Sequence, residues 1–183
     1  MPRSEPSSGT GGLARDTATD GRAAHATVIL GIGNLLRGDD GVGVHAAHEL
    51  LVRDDLGDVT VLDGGVAPLD ALATVGPVQR LIIIDAADLG ELPGTIRALS
   101  PEELAPHNGD SVSLHDLDLL WALSVLQAMG QAPPETVVVG VQPASVDWST
   151  ELSPAVAARL DDILEAVLAQ IPARGTGREK VRP

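Results

Sequence analysis

Along the chain, short apolar runs alternate with stretches whose apolar residues recur at helical spacing. Ala26–Leu30, Val59–Leu62, Leu81–Ile84 and Glu135–Val141 read as strands, and Leu81-Ile82-Ile83-Ile84 is the clearest of them. Gly94–Leu99 alternates weakly and reads as a further strand. Between these runs, Val44, Ala47 and Leu51 mark one face of a helix over about 41–53, with His45, His48 and Glu49 on another face. Pro68–Val75 predicts a short helix, and 100–112 a loop. The stretch from Ser113 to about Met129 is apolar nearly all round, which predicts a buried helix. Ser113 and Asp116 form a capping-box pattern at its start, and Gly130 suits its C′ position. Ser153-Pro154 starts a final helix whose stripe is Val156, Leu160, Ile163, Leu164, Val167, Leu168 and Ile171.

This alternation predicts a three-layer α/β/α sandwich around a mostly parallel, mixed five-stranded sheet. Residues 26–171 are expected to form one domain. Residues 1–25, polar and without periodicity, read as a disordered leader, and 172–183 as a flexible basic tail. In such sheets ligands sit outside the carboxyl ends of the strands. Asp40 follows strand one, Asp63 ends strand two and Asp85 ends strand three. Three acids are therefore expected at one rim.

The turn after strand one, Gly31 to Gly43, holds most of the punctuation. A glycine-rich turn there usually cradles phosphate, but Leu36 stands where the dinucleotide fingerprint needs its third glycine. Asp39 stands where a P-loop needs lysine. The glycines are read as letting the chain turn sharply and leaving an open approach for a peptide. Asp39 reads as the N-cap of the helix that follows. Asp40 stays open between a second capping carboxylate and a ligand.

Charge and composition narrow the function classes. The formal net charge is −14, and residues 26–171 carry 5 Arg against 22 Asp plus Glu. Such a surface repels phosphate backbones, and two tryptophans are the only aromatics, so nucleic-acid binding is not expected. There is no cysteine, which excludes thiolate catalysis, disulfides and iron–sulfur clusters. No apolar run approaches the roughly 18 residues of a membrane span, and the start has no apolar signal segment. The expectation is a cytoplasmic protein, acting as a monomer, without membrane or nucleic-acid partners. No serine nucleophile elbow is present.

Asp85 ends a buried apolar strand, where a carboxylate needs a partner or a cation. His115 falls near the start of a helix, where the dipole favours the neutral imidazole that a metal requires; taken alone it reads as an ordinary helix-start histidine. Two carboxylates and one histidine are a workable donor set for a divalent transition metal. His45 and His48, one turn apart, read as a solvated helix face, with a metal clamp as the alternative.

Taken in order, Gly31-x-Gly33-Asn34-x-Leu36-x-Gly38-Asp39-Asp40-Gly41-x-Gly43, Leu62-Asp63-Gly64-Gly65, Ile82-Ile83-Ile84-Asp85-Ala86, Ser113-Leu114-His115 and Val139-Gly140-Val141-Gln142-Pro143 resemble the nickel–iron hydrogenase maturation endopeptidases. The resemblance spans roughly 26–171. It implies a cytoplasmic protease that removes a C-terminal extension from the hydrogenase large-subunit precursor after nickel insertion. It puts the three metal-contacting, catalytic positions on Asp40, Asp85 and His115, and precursor recognition on Asp63, Gly64 and Gly65. It implies nickel, carried by the substrate, and no organic cofactor. Many family members have Glu at the position of Asp40. A non-enzymatic nickel chaperone would use the same donors without shortening its partner.

Overall fold

A computed structural model of the chain describes residues 25–104 and 114–172, with side chains except at 25, 26 and 114–118. The expected leader and tail lie almost wholly outside the described residues, as do Ser113 and its capping box. The leader ends earlier than expected, since β1 spans His25–Ile32 and His25 already pairs with Val78.

The other strands are β2 (Val59–Gly65), β3 (Val78–Ala86), β4 (Ile96–Leu99) and β5 (Glu135–Val141). They form one sheet in the order β2-β1-β3-β5-β4. All neighbours are parallel except β4, which pairs antiparallel with β5 at the edge. This is the expected mixed five-stranded sheet. The near-continuous Val, Ile and Leu of β1, β3 and β5 suit strands covered on both faces.

Alternate strand residues feed two cores. Ile29, Ile82, Ile84, Val139 and Val141 pack with α1 (Val42–Leu51), Val156 of α5 (Pro154–Ala157) and Ile163 and Val167 of α6 (Leu160–Leu168). Val28, Leu30, Ile32, Leu81, Ile83 and Val138 pack with Leu72 of α2 (Pro68–Ala73) and with Leu119 and Leu126 of α4 (Leu114–Ala128).

Three expectations are corrected. The loop after β4 begins with a short helix, α3 (Pro101–Leu104). The final helix is two helices: α5 stops at Ala157, and Arg159, at φ −107°, sits at the N-cap of α6. Ser153 does cap α5, accepting from the Val156 N–H. The helix from residue 114 is not buried all round, since Trp121 is 61% exposed while Leu119 and Ala122 are buried. Its apolar residues exceed what one sheet face can cover.

The glycines of the first turn are occupied by backbone rather than left open. A Cβ at Gly31 would lie 2.1 Å from the Gly43 carbonyl oxygen. A Cβ at Gly43 would lie 2.0 Å from the Ile84 oxygen and 2.4 Å from the Ile32 oxygen. Backbone thus meets backbone where α1 enters the seam between β1 and β3. Gly33, at φ +126°, turns the chain back so closely that a Cβ there would sit 1.8 Å from the Asp40 oxygen. The sharp turn is as expected; the open approach is not.

Candidate functional site

The chain leaves β1 to form β2 on one side and then β3 on the other. This is the topological switch point, and the crevice of such a sheet opens there, at the carboxyl ends of β1 and β3. Asp40 lies in the loop after β1 and Asp85 is the penultimate residue of β3. The two carboxylates therefore flank the same crevice.

Asp40 sits in a 3-10 turn, Gly38–Gly41, just before α1. It is 6% exposed, and its Oδ2 accepts a 2.9 Å hydrogen bond from the Asn34 N–H. Asn34 in turn accepts from the Leu36 N–H through its own side chain, which stiffens the turn. Asp85 is 1% exposed and pairs across the sheet with Gly140. Ile84 and Ala86 belong to the α1/α6 core and Ile83 to the α2/α4 core, so strand alternation turns Asp85 toward the α2/α4 layer. Burying a carboxylate is unfavourable unless hydrogen bonds, opposite charge or a cation compensate.

His115 is the second residue of α4. Gln127, near the far end of that helix, lines a cleft with Arg80 and Glu135, which lie at the starts of β3 and β5. The first turn of α4 is thereby at the opposite edge of the sheet, the edge that holds Asp85. The His115 side chain lies outside those described. Among the described residues no three acidic or histidine side chains gather to hold an ion. The two aspartates need at least one donor from elsewhere.

Asp63 does not join them. Its neighbours Val59 and Val61 pack on the α1/α6 core, and Asp63 follows them onto that face. There its Oδ2 lies 2.7 Å from His48 Nε2, and its Oδ1 accepts from the Gly65 N–H. All three acids lie at the carboxyl ends of the parallel strands, as expected, but Asp63 turns to the α1 face, tied to His48, and away from Asp85. The Asp63-Gly64-Gly65 turn still borders the site. Gly31 pairs with Asp63 but Ile32 with Gly65, a bulge, and the Gly65 carbonyl accepts from the Gly33 N–H. Gly64 has no room for a side chain, because a Cβ would meet Leu30 Cδ1 at 2.8 Å.

The two helix histidines differ. His48 is half exposed and paired with Asp63, so it is neither merely solvated nor turned toward His45 as a clamp. Burial holds the His45 imidazole below its ordinary pKa of 6.5, and nearby His48 lowers it further, against a smaller pull from Glu49.

Asp39 is the clearest departure from the sequence reading. It does not cap α1, whose N-cap is Gly41 without a side-chain bond. Its buried carboxylate accepts from three distant backbone N–H groups: Ala144 at 2.8 Å, Ser145 at 3.2 Å and Ser153 at 2.6 Å. Three further backbone bonds, Gly38 N–H to Ser149, Asp39 N–H to Ser145 and Ser149 N–H to Leu36, complete the seam. The loop after β5 is thus fastened to the loop that carries Asp40. Gln142 does similar work beside Asp85, its Oε1 accepting from the Leu89 and Glu91 N–H groups. Gln142, between Val141 and Pro143, carries the one sequence signal of a polar residue against apolar neighbours; Asp39, between Gly38 and Asp40, carries none.

A second cleft, of about 290 Å³, lies between Val66, Ala67 and Pro68 and the exposed Trp121. It adjoins the Asp63–Gly65 turn.

The family model of hydrogenase maturation proteases, HycI, matches residues 44–170. The hydrogenase 2 maturation protease of Escherichia coli K12 is 36% identical over 150 residues, covering 81% of this chain and 92% of that protein. The hydrogenase expression/formation protein HupD of Bradyrhizobium diazoefficiens is 36% identical over 132 residues, covering 70% and 69%. Among solved structures, the hydrogenase maturating endopeptidase HybD of E. coli superposes with a TM-score of 0.68 at 34% identity, covering 79% and 90%. The maturation protease HycI of Thermococcus kodakarensis gives 0.61 at 29% identity, covering 79% and 91%.

Proposed function

Because this chain belongs to the hydrogenase maturation protease family, we propose that it is the endopeptidase that removes the C-terminal extension of a nickel–iron hydrogenase large-subunit precursor once nickel is in place. The observation that carries this reading is the placement of Asp40 and Asp85 at one topological switch point, both nearly buried. Oxygen donors held there suit a divalent metal presented by an incoming chain, with His115, at the start of α4, as the nitrogen donor.

In this account nickel belongs to the substrate. Asp40, Asp85 and His115 contact it and so hold the precursor with its scissile bond beside the crevice. The Asn34 N–H orients the Asp40 carboxylate, and Gly33 permits that contact by folding the turn back. A bound divalent metal polarises a carbonyl and activates water. A precursor without nickel offers the two aspartates nothing to bind and is ignored. Asp63, Gly64 and Gly65, on β2 beside the crevice, are the surface that distinguishes the cognate precursor. The protein works in the cytoplasm, where an unfinished precursor would be met.

The test is cleavage of loaded precursor by Asp40→Asn, Asp85→Asn and His115→Ala, followed by the mass of the large subunit, with folding checked by circular dichroism. The reading predicts folded proteins with cleavage reduced at least 100-fold, on the order of the loss when one electrostatic contact to a reacting group is removed. Full activity in folded variants would contradict it.

A further inference from the structure

The chain has two aromatic residues, Trp121 and Trp148, and neither is in a core. Aromatic side chains bury more apolar surface than any others and normally dominate cores. Trp148 is 77% exposed, and exposed Leu36 and Val146 stand on the same two loops. The loops are not loose. Asp39 accepts from Ala144, Ser145 and Ser153, Leu36 accepts from the Ser149 N–H, and Arg37 bridges to Ser149 in parallel register. Trp148 is therefore held out to solvent on a fastened platform, so little ordering is required when a partner covers it.

Charge says what kind of partner. Arg53, Arg80, Arg97 and Arg159 are each paired with a carboxylate. Among the described residues, Arg37 is the arginine not engaged by one, and its guanidinium lies 5.8 Å from the Trp148 ring centroid. In a chain of net charge −14, an uncommitted cation stacked on an exposed indole is suited to an incoming carboxylate. Asp40 is three residues from Arg37, and its N–H bonds to the Arg37 carbonyl. Arg37 and Trp148 thus stand on the loop that carries Asp40 and on the loop fastened to it.

We propose that Leu36, Arg37, Val146 and Trp148 form the docking surface for the precursor, receiving an apolar side chain on Trp148 and an adjacent carboxylate on Arg37. This rests on the protease reading above and adds the surface that captures the substrate. Trp148 supplies the buried aromatic anchor on which binding energy concentrates, and Arg37 supplies charge selection.

The test measures both binding and cleavage of nickel-loaded cognate precursor by the full chain, by Trp148→Ala and by Arg37→Glu. Val52→Ser serves as control, since Val52 is as exposed but ends α1 away from the crevice. Dissociation constants are taken from association and dissociation rates recorded before cleavage accumulates, with Asp40, Asp85 and His115 unchanged in every variant. The expected result is a rise of about tenfold or more in Kd and KM for both variants, as for an interface anchor, with the loss falling on KM rather than kcat. The Arg37→Glu effect should shrink as salt is raised. Unchanged Kd and KM in both variants, with the parent chain cleaving normally, would overturn the docking surface and leave the protease reading intact. Binding without cleavage by the parent chain would overturn the protease reading, and the Kd values would still decide the surface. No binding by the parent chain would overturn both.

Discussion

The Asp39 carboxylate accepts a 2.6 Å hydrogen bond from the Ser153 N–H, 114 positions further along the chain. That bond makes one site from two loops that the sequence holds far apart. Asp39→Ala would leave the Ala144, Ser145 and Ser153 N–H groups without their acceptor. Ala144 and Ser145 are exposed and water can take the place of the acceptor there, so a loss of about 1–3 kcal/mol is expected in urea unfolding. Hydrogen exchange adds a local readout: those three amides should exchange faster, while the β3 amides keep their protection relative to global unfolding. Unaltered exchange at all three would contradict the tether.

Gly43 reverses an ordinary helix rule. Replacing an exposed helical glycine by alanine usually stabilises by about 1 kcal/mol. Here the new Cβ would lie 2.0 Å from the Ile84 oxygen and 2.4 Å from the Ile32 oxygen, and neither backbone atom can swing aside. Gly43→Ala is expected to destabilise by about 3 kcal/mol or more, the upper end for overpacking. Chemical denaturation decides the sign. A stabilised variant would show that α1 does not sit on the β1–β3 seam as described.

His45 gives a pH dependence with a definite sign. Its pKa in the folded chain lies below 6.5, so the folded state resists protonation there. The stability this contributes is present above pH 6.5 and is lost as pH falls through the lower folded value. The urea midpoint should therefore drop on acidification, and drop less in His45→Gln. Identical acid sensitivity in both proteins would assign the effect to other groups.

How far the sequence could be read follows from the range of the interactions. Leu81–Ile84 declared a buried strand because burial on both faces needs an uninterrupted apolar run, and the sheet and its layers followed from such runs. Asp40 and Asp85 were legible as rim residues because strand ends and turns are local features. Asp63 lies at the expected rim but on the other face of the sheet from Asp85, since strand length alone does not say which face an end residue takes. Its parity with Val59 and Val61 sets that, and a bulge after Gly31 alters the pairing beyond. Asp39 was misread because a helix cap is a local explanation, whereas its partners lie more than 100 residues away. The break at Arg159 was missed because the apolar stripe continues across it from Val156 to Leu160.

The most direct test of the central claim is the mass of the large subunit after the purified chain is mixed with its precursor, once loaded with nickel and once nickel-free. The account predicts loss of the C-terminal extension from the loaded precursor alone. Equal cleavage of both would contradict the reading of nickel by Asp40, Asp85 and His115. An intact loaded precursor that remains bound would favour a nickel chaperone over a protease.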